Sequence, residues 1–588
     1  MLAETQIMKK AWYYLARQGI IAGGWLGLVL CSLLLFTPLT RAGWVPLTWP
    51  APGNVGLMLL LPDGTVMAAD TSLSGLNGNG LGMYWYRLAP DAGGHYVNGS
   101  WSMRQYSLAT RMWFASQVLQ NGKVVVVGGE YGTGGFSAEL YDPVNDDWST
   151  VDVPLGLIDT VTTQSVGNGG FRDPDSIILP NGKVMIAPVL PATNNNTVIY
   201  DPTSNTMSPG PAYLTNQNEC SWVKLPDGSI LTADDNNATS ERYIPSLNQW
   251  IPDAPLPVPL FDVFGTEEGP GFLLPNGKVI FFGGNGKTLI YTPSGSTNPG
   301  SWIQGPVIPN DMAMADAGGC MMANGKILIA AALASYSSTN IFNQPTYFFE
   351  YDYSSGPVGA FQAVTSPMPY SNSDIIPSYN ALMLALPDGT VLYSDFSTHL
   401  FVYTPDSGPL PAGKPTIHKI TPNADGSYHV TGTLFNGISQ GAAYGDDAQM
   451  DSDFPLVKVT SNLGEVRYCR TFNWSGTTVM TGNQEVSTDF DWHNLFPGTF
   501  LLQVVANGNL SDPVFVTGPV WVDFNASDAL QLGTYELPYT TLTNGMAHVN
   551  NGGTIFVKPG TTSTPINTSK PMEIRAIGGQ VNIGSHKG

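Results

Sequence analysis

One phrase recurs seven times along this chain: an apolar run, a turn ending in Asp-Gly or Asn-Gly, and a second apolar run. It reads LLLPDGTVMAAD around Asp63, QVLQNGKVVVVGG around Asn121, IILPNGKVMIAP around Asn181 and VKLPDGSILTAD around Asp227. It returns as FLLPNGKVIFFGG at Asn276, CMMANGKILIAA at Asn324 and LALPDGTVLYSD at Asp388. Asp-Gly or Asn-Gly between β-rich runs signals a tight hairpin, with positive φ expected at both turn residues. Successive turns are 58, 60, 46, 49, 48 and 64 residues apart. Self-similarity at this period implies a radial array of small sheets, most simply a β-propeller with one blade per repeat. Seven hairpins imply seven blades.

The second half of each repeat carries a tyrosine on a third strand: Tyr141, Tyr200, Tyr243, Tyr291, Tyr351 and Tyr403, with Tyr86 as the first-repeat counterpart. Trp148, Trp250 and Trp302 follow on a fourth strand, with Trp101 as their first-repeat equivalent. Four strands per unit, Gly-Gly after strand two and Tyr/Trp on strands three and four make a kelch pattern.

The ends set further bounds. Ile20 to Phe36 is almost continuously apolar, preceded by Lys9, Lys10 and Arg17, and Thr40-Arg41-Ala42 offers a cleavage site. Residues 1–42 therefore read as a secretory signal peptide, or as an anchor if retained, the only route to a membrane. They carry four cationic and one anionic side chain, so the −21 of the full chain becomes −24 beyond them. That balance excludes nucleic acid as an expected partner and suits a secreted or cell-surface protein. Charged residues are 12% of the chain, and Ser, Thr, Asn and Gly supply the polar surface. Cys31 lies in the leader, leaving Cys220, Cys320 and Cys469, an odd number without metal-type spacing; one disulfide among them is compatible with sequence. Asn98, Asn473 and Asn567 stand in Asn-X-Ser/Thr sites.

Residues 43–412 thus form the expected propeller. A Pro/Gly-rich linker follows, then 413–519 alternate in short runs (YHVTGTL, LVKVTSN, TFLLQVVAN) expected of an immunoglobulin-like sandwich. Residues 520–588, with GGTIFVKPG and KPMEIRAIGG, read as a short β-helix-like tail.

Signal, kelch blades and sandwich, in that order, resemble galactose oxidase and the glyoxal oxidases. The resemblance covers residues 43–519 and is local in RMWFASQVLQNGKVVVVGG, AELYDPVNDDW and NGISQGAAYGDDAQ. It implies a copper ion on the propeller axis, held by two tyrosines and two histidines, one tyrosine cross-linked to a cysteine. The family draws these ligands from the position eight residues before the turn Asp/Asn, or one place earlier. Here that position holds Val55, Trp113, Asp173, Glu219, Glu268, Asp316 and Asn380. The family's Tyr-His becomes Tyr379-Asn380, no cysteine takes the offset, and the sandwich histidine is missing from 467–481. Radical-copper oxidation is therefore not expected, and the resemblance supplies a scaffold.

What replaces the ligands is acidic: Asp173, Glu219, Glu268 and Asp316 at four consecutive blade mouths, with Glu267 and Asp175 beside them, Arg172 as the local cation, and Trp113 and Tyr379 flanking. Three readings stay open. The row is a solvated rim that follows from an acidic composition. It is a binding site, either for Ca²⁺ or another divalent cation through Asp173, Glu219, Glu268 and Asp316, or for a carbohydrate held by carboxylates beside aromatic rings. Or Glu219 and Glu268 perform acid/base chemistry on a glycan. Asp446, Asp447, Asp451 and Asp453 form a weaker Ca²⁺ candidate, and the seven histidines are scattered.

Overall fold

The computed structural model describes residues 42–584 apart from 72–81, 130, 155, 159–169, 172–173, 188–195, 216, 218–219, 235, 369–370, 441–442, 445–452 and 494. The leader segment lies outside the described residues, among which no helix is long and apolar enough to cross a membrane.

The described chain is almost entirely β. Each of the seven hairpins seeds an antiparallel sheet of four or five strands, an arrangement consistent with a β-propeller. First strands are buried along their whole length, as in Val55–Leu60, Asp175–Ile178, Ser221–Lys224 and Glu268–Leu273. Fourth strands such as Asp147–Val151 and Ser301–Gln304 are mostly exposed. Burial on both faces explains why first and second strands read as unbroken apolar runs, whereas outer strands alternate. Neighbouring first strands pack side by side, Val55–Leu60 on Leu382–Ala385 and Ser221–Lys224 on both Asp175–Ile178 and Glu268–Leu273.

The turns differ from the two-residue hairpin that the sequence suggests. Positive φ is confined to the glycine in all seven (Gly64, Gly122, Gly182, Gly228, Gly277, Gly325 and Gly389). In the first, Gly64 N–H donates to Leu61 O and Leu61 N–H to Thr65 O, and the other six repeat this pattern. These are type I turns closed by a glycine bulge. Proline precedes the Asp or Asn in five of them, fixing a negative φ at the first corner. The Asp or Asn side chain then accepts the N–H two residues on, at 2.9–3.3 Å in every repeat.

The third-to-fourth strand turns also repeat. Tyr141, Tyr200 and Tyr243 donate their hydroxyls to Asp146, Asn205 and Asn248, each five residues on, at 2.7, 2.9 and 3.0 Å. Those acceptors adopt positive φ, which Asn and Asp tolerate better than most residues. Tyr141, Tyr243 and Tyr291 stand directly opposite Trp148, Trp250 and Trp302. In the first repeat Tyr86 faces Met103, and Trp101 lies opposite Leu88, two places from the expected pairing. The last sheet takes its fourth strand from the other end of the chain: Gly43–Pro46 pairs with Phe401–Thr404.

Beyond Lys414, two antiparallel sheets share one core that includes Val430, Val457, Trp492 and Leu502. The tail pairs in parallel, Val520–Val522 with Thr554–Val557 and that strand with Glu573–Ala576. A short helix, Leu542–His548, capped by the Thr541 hydroxyl, interrupts it. Cys220, Cys320 and Cys469 are buried and not joined to one another, so the disulfide that the sequence allowed does not form among them.

Candidate functional site

The two ends of the first strands face different surroundings. At the hairpin end, Leu59, Val118, Ile178 and Lys224, from four different sheets, line one cavity of about 30 Å³ together with Asp453 and Trp474 of the second unit. Side chains from four sheets meet there because the first strands gather around a common line. The second unit plugs this end. Its Gln440 Oε1 accepts the Lys224 N–H at 3.0 Å and its Thr477 O accepts from Lys224 Nζ at 2.9 Å, while its Ala443–Tyr444 reaches further along the same strand and pairs with the opening residues Ser221 and Trp222. Asp453 Oδ2 lies 3.8 Å from the same ammonium, and burial pushes the Asp453 carboxyl up. Asp453 is thus tied to the inter-unit contact; Asp446, Asp447 and Asp451 lie outside the described residues.

The opposite end is where the strands begin, and there the candidate residues meet. Glu268 opens its strand opposite Gly283, fully buried, just ahead of a bulge. The loop before it is organised by buried Asp262. Asp262 Oδ1 accepts the N–H groups of Phe264 and Gly265 at 2.8 and 2.9 Å and the Ser335 hydroxyl at 2.8 Å; Oδ2 accepts the Glu267 N–H at 3.1 Å. The Asp316 N–H donates to Glu268 O at 2.7 Å, which joins the carboxylate-bearing residues of adjacent repeats through the backbone.

Asp316 and Trp113 occupy the same position relative to their turns and both adopt left-handed backbone, at φ 51° and 52°. Such a conformation costs of order 1 kcal/mol or more for a side chain as bulky as tryptophan. It is held at Trp113 by ring packing. Trp113 meets Tyr379 edge to face at 5.9 Å and Phe396 at 5.5 Å, and Tyr379 in turn meets Phe342 at 4.9 Å. Burial, reinforced by the charge of Asp316, pushes the Tyr379 phenol up, so that carboxylate lies close to the ring cluster. Asn380 follows in the 3₁₀ turn Ser378–Asn380, half-buried.

The structure therefore brings Trp113, Glu268, Asp316, Tyr379 and Asn380 to one end of the strand array. Arg172, Asp173 and Glu219 fall outside the described residues. Sequence reasoning missed Phe342 and Phe396. Phe396 follows the seventh hairpin's second strand, where an aromatic residue carries no repeat signature, and Phe342 sits in a loop without one. Asp175 is buried at the head of its strand, among the described residues no side chain bonds its carboxylate, and burial pushes its carboxyl far up, opposed only by the Ser176 N–H.

These donors do not fit copper(II). The ion prefers imidazole and related nitrogen ligands, and the described end offers one phenol, one amide and two carboxylates. Cys220, the cysteine nearest the offset position, is buried. Among the described residues no three His, Cys, Asp or Glu side chains are grouped to hold a metal ion.

No family model and no curated protein sequence matches the chain. Among solved structures it is similar to a fungal alcohol oxidase of the AA5 family in complex with copper, at 14% identity over 81% of this chain and 99% of that one, with a TM-score of 0.44. It is also similar to virginiamycin B lyase from Staphylococcus aureus, at 11% identity over 62% of this chain and 99% of that one, TM-score 0.40. At these identities and scores neither likeness assigns an activity.

Proposed function

We propose that the chain is a secreted seven-bladed propeller, with an immunoglobulin-like second domain, that binds a carbohydrate at the strand-start end of its axis without radical-copper oxidation. The observation that carries this reading is the edge-to-face contact of Trp113 with Tyr379, with Asp316 close enough to act on the phenol. Aromatic faces beside carboxylates match a sugar's two surfaces: C–H groups pack on a ring while hydroxyls donate to carboxylate oxygens. The Asp316 N–H, donated to the carbonyl of the buried Glu268, fixes the backbone of Asp316 against the neighbouring repeat. Among the described residues the donors at this end are a phenol, an amide and carboxylates, a set that suits hydroxyl recognition better than copper(II).

A divalent cation is the second reading. It draws on Asp316 and Glu268 together with Asp173 and Glu219, hard oxygen donors of the kind Ca²⁺ takes. Screening on a glycan array separates the two. The carbohydrate reading expects a defined set of hits that Asp316→Asn and Tyr379→Phe weaken about tenfold or more and that survives chelator. Hits that vanish with chelator favour the cation, and an array without hits contradicts the proposal.

A further inference from the structure

The parallel tail has two ends, and they are finished differently. The Val520–Val522 end is closed: Trp521 N–H donates to Gly533 O and Tyr539 N–H to Trp521 O, so residues 533–539 lie along that edge. At the other end Glu573–Ala576 pairs on one side only, with Thr554–Val557, and among the described residues no strand covers its outer side. An open edge is a row of unpaired N–H and C=O groups and a template for another strand.

Backbone direction fixes which residues that template offers. Glu573 N–H donates inward to Gly553 O and Ile577 N–H inward to Val557 O. Because direction alternates along a strand, the N–H and C=O of Ile574 and Ala576 point outward. If two such edges meet antiparallel about a two-fold axis with Ile574 opposite Ile574, those outward groups exchange both hydrogen bonds. The flanking residues then form the closer, non-hydrogen-bonded pairs, and they are Glu573 opposite Arg575 and Arg575 opposite Glu573. The sequence Glu-Ile-Arg is complementary to itself in this register. Centring on Arg575 would instead place two guanidinium groups against each other. Both side chains are available, since within one strand Arg575 Nε lies 2.7 Å from Glu573 Oε1 with each side chain more than a third exposed.

We propose that Glu573–Ala576 is a self-association edge through which two copies of this chain pair antiparallel, Glu573 of each facing Arg575 of the other. This interaction is independent of the ligand site, which lies at the strand-start end of the propeller-like unit. A C₂ interface of this kind is self-complementary by construction.

The test is sedimentation velocity on the full chain at about 100 µM, with charge-reversal variants of these two exposed residues. The wild type is expected to be dimeric. Glu573→Lys alone and Arg575→Glu alone each replace two attractive pairs by repulsive ones and should weaken the dimer about tenfold or more. The double variant Glu573→Lys/Arg575→Glu restores complementarity and should restore the dimer. A wild type that is monomeric at this concentration, or a dimer that neither single reversal weakens, overturns the proposal. Unchanged thermal melting of the variants' monomer shows that dissociation is not unfolding.

Discussion

Trp44 stands directly opposite Tyr403, 359 positions further along the chain, with ring centroids 4.8 Å apart. It fills in the last sheet the place that Trp148, Trp250 and Trp302 fill in theirs. Its indole also meets Phe348 and Tyr393, and its N–H donates to Thr365 O at 2.7 Å. The first strand of the described chain thus closes the last sheet as its fourth strand, tying together segments from opposite ends of the described chain.

Removing that closure should be costly. Trp44→Ala is expected to destabilise by about 2–3 kcal/mol, through lost aromatic packing and a lost hydrogen bond. Urea unfolding checks this, with Trp49→Ala as the comparison. Trp49 is 60% exposed and its replacement should change stability little.

The glycine-bulge turns give a second expectation. Gly277 has φ +79° with open space where a Cβ would stand, so Gly277→Ala should cost only backbone strain, about 1 kcal/mol. At Gly325, φ +83°, a Cβ would lie 2.4 Å from Leu410 Cδ1, so Gly325→Ala should cost more. Equal effects in thermal melts would contradict this account of the turns.

Asp175 makes stability depend on pH. Burial raises its folded-state pKa well above the ordinary 3.8, so the folded chain keeps a proton that the unfolded chain releases above about pH 4. Its contribution is therefore most favourable below that pH and worsens as pH rises toward the folded-state value. Asp175→Asn removes this dependence and is expected to stabilise by about 1–2 kcal/mol at pH 7, with little gain at pH 4. Melting temperatures at the two pH values measure it.

Copper loading tests the donor set. After incubation with excess copper(II) and desalting, metal analysis should find well under one copper per chain, and the visible spectrum should lack a radical band. Stoichiometric retention would contradict the reading of Tyr379 and Asn380.

Much of the fold was legible because it repeats. Asp/Asn-Gly marked every hairpin, and Tyr141, Tyr243 and Tyr291 announced the Trp148, Trp250 and Trp302 that face them. The turn type was misread because Asn-Gly serves both two-residue hairpins and glycine-bulge turns; Pro62 and its counterparts at the first corner were the missed clue. The closing strand at Trp44 was hidden because Gly43–Pro46 has no hairpin of its own. Pairing of Ala443–Tyr444 with Ser221 and Trp222 is a contact across more than two hundred residues, which local pattern cannot register. At the candidate site, counting eight residues back from each turn found Trp113, Glu268 and Asp316, because a repeat fixes position on its strand. Phe342 and Phe396 come from loops, where no period operates.

The central claim, that a sugar sits between the ring cluster and the carboxylates, is tested most directly by the structure of a crystal soaked with a glycan identified on the array. The account predicts a sugar ring against Trp113 or Tyr379 with a hydroxyl within hydrogen-bonding distance of Asp316. A glycan bound elsewhere, with this end of the axis filled only by water, would contradict it.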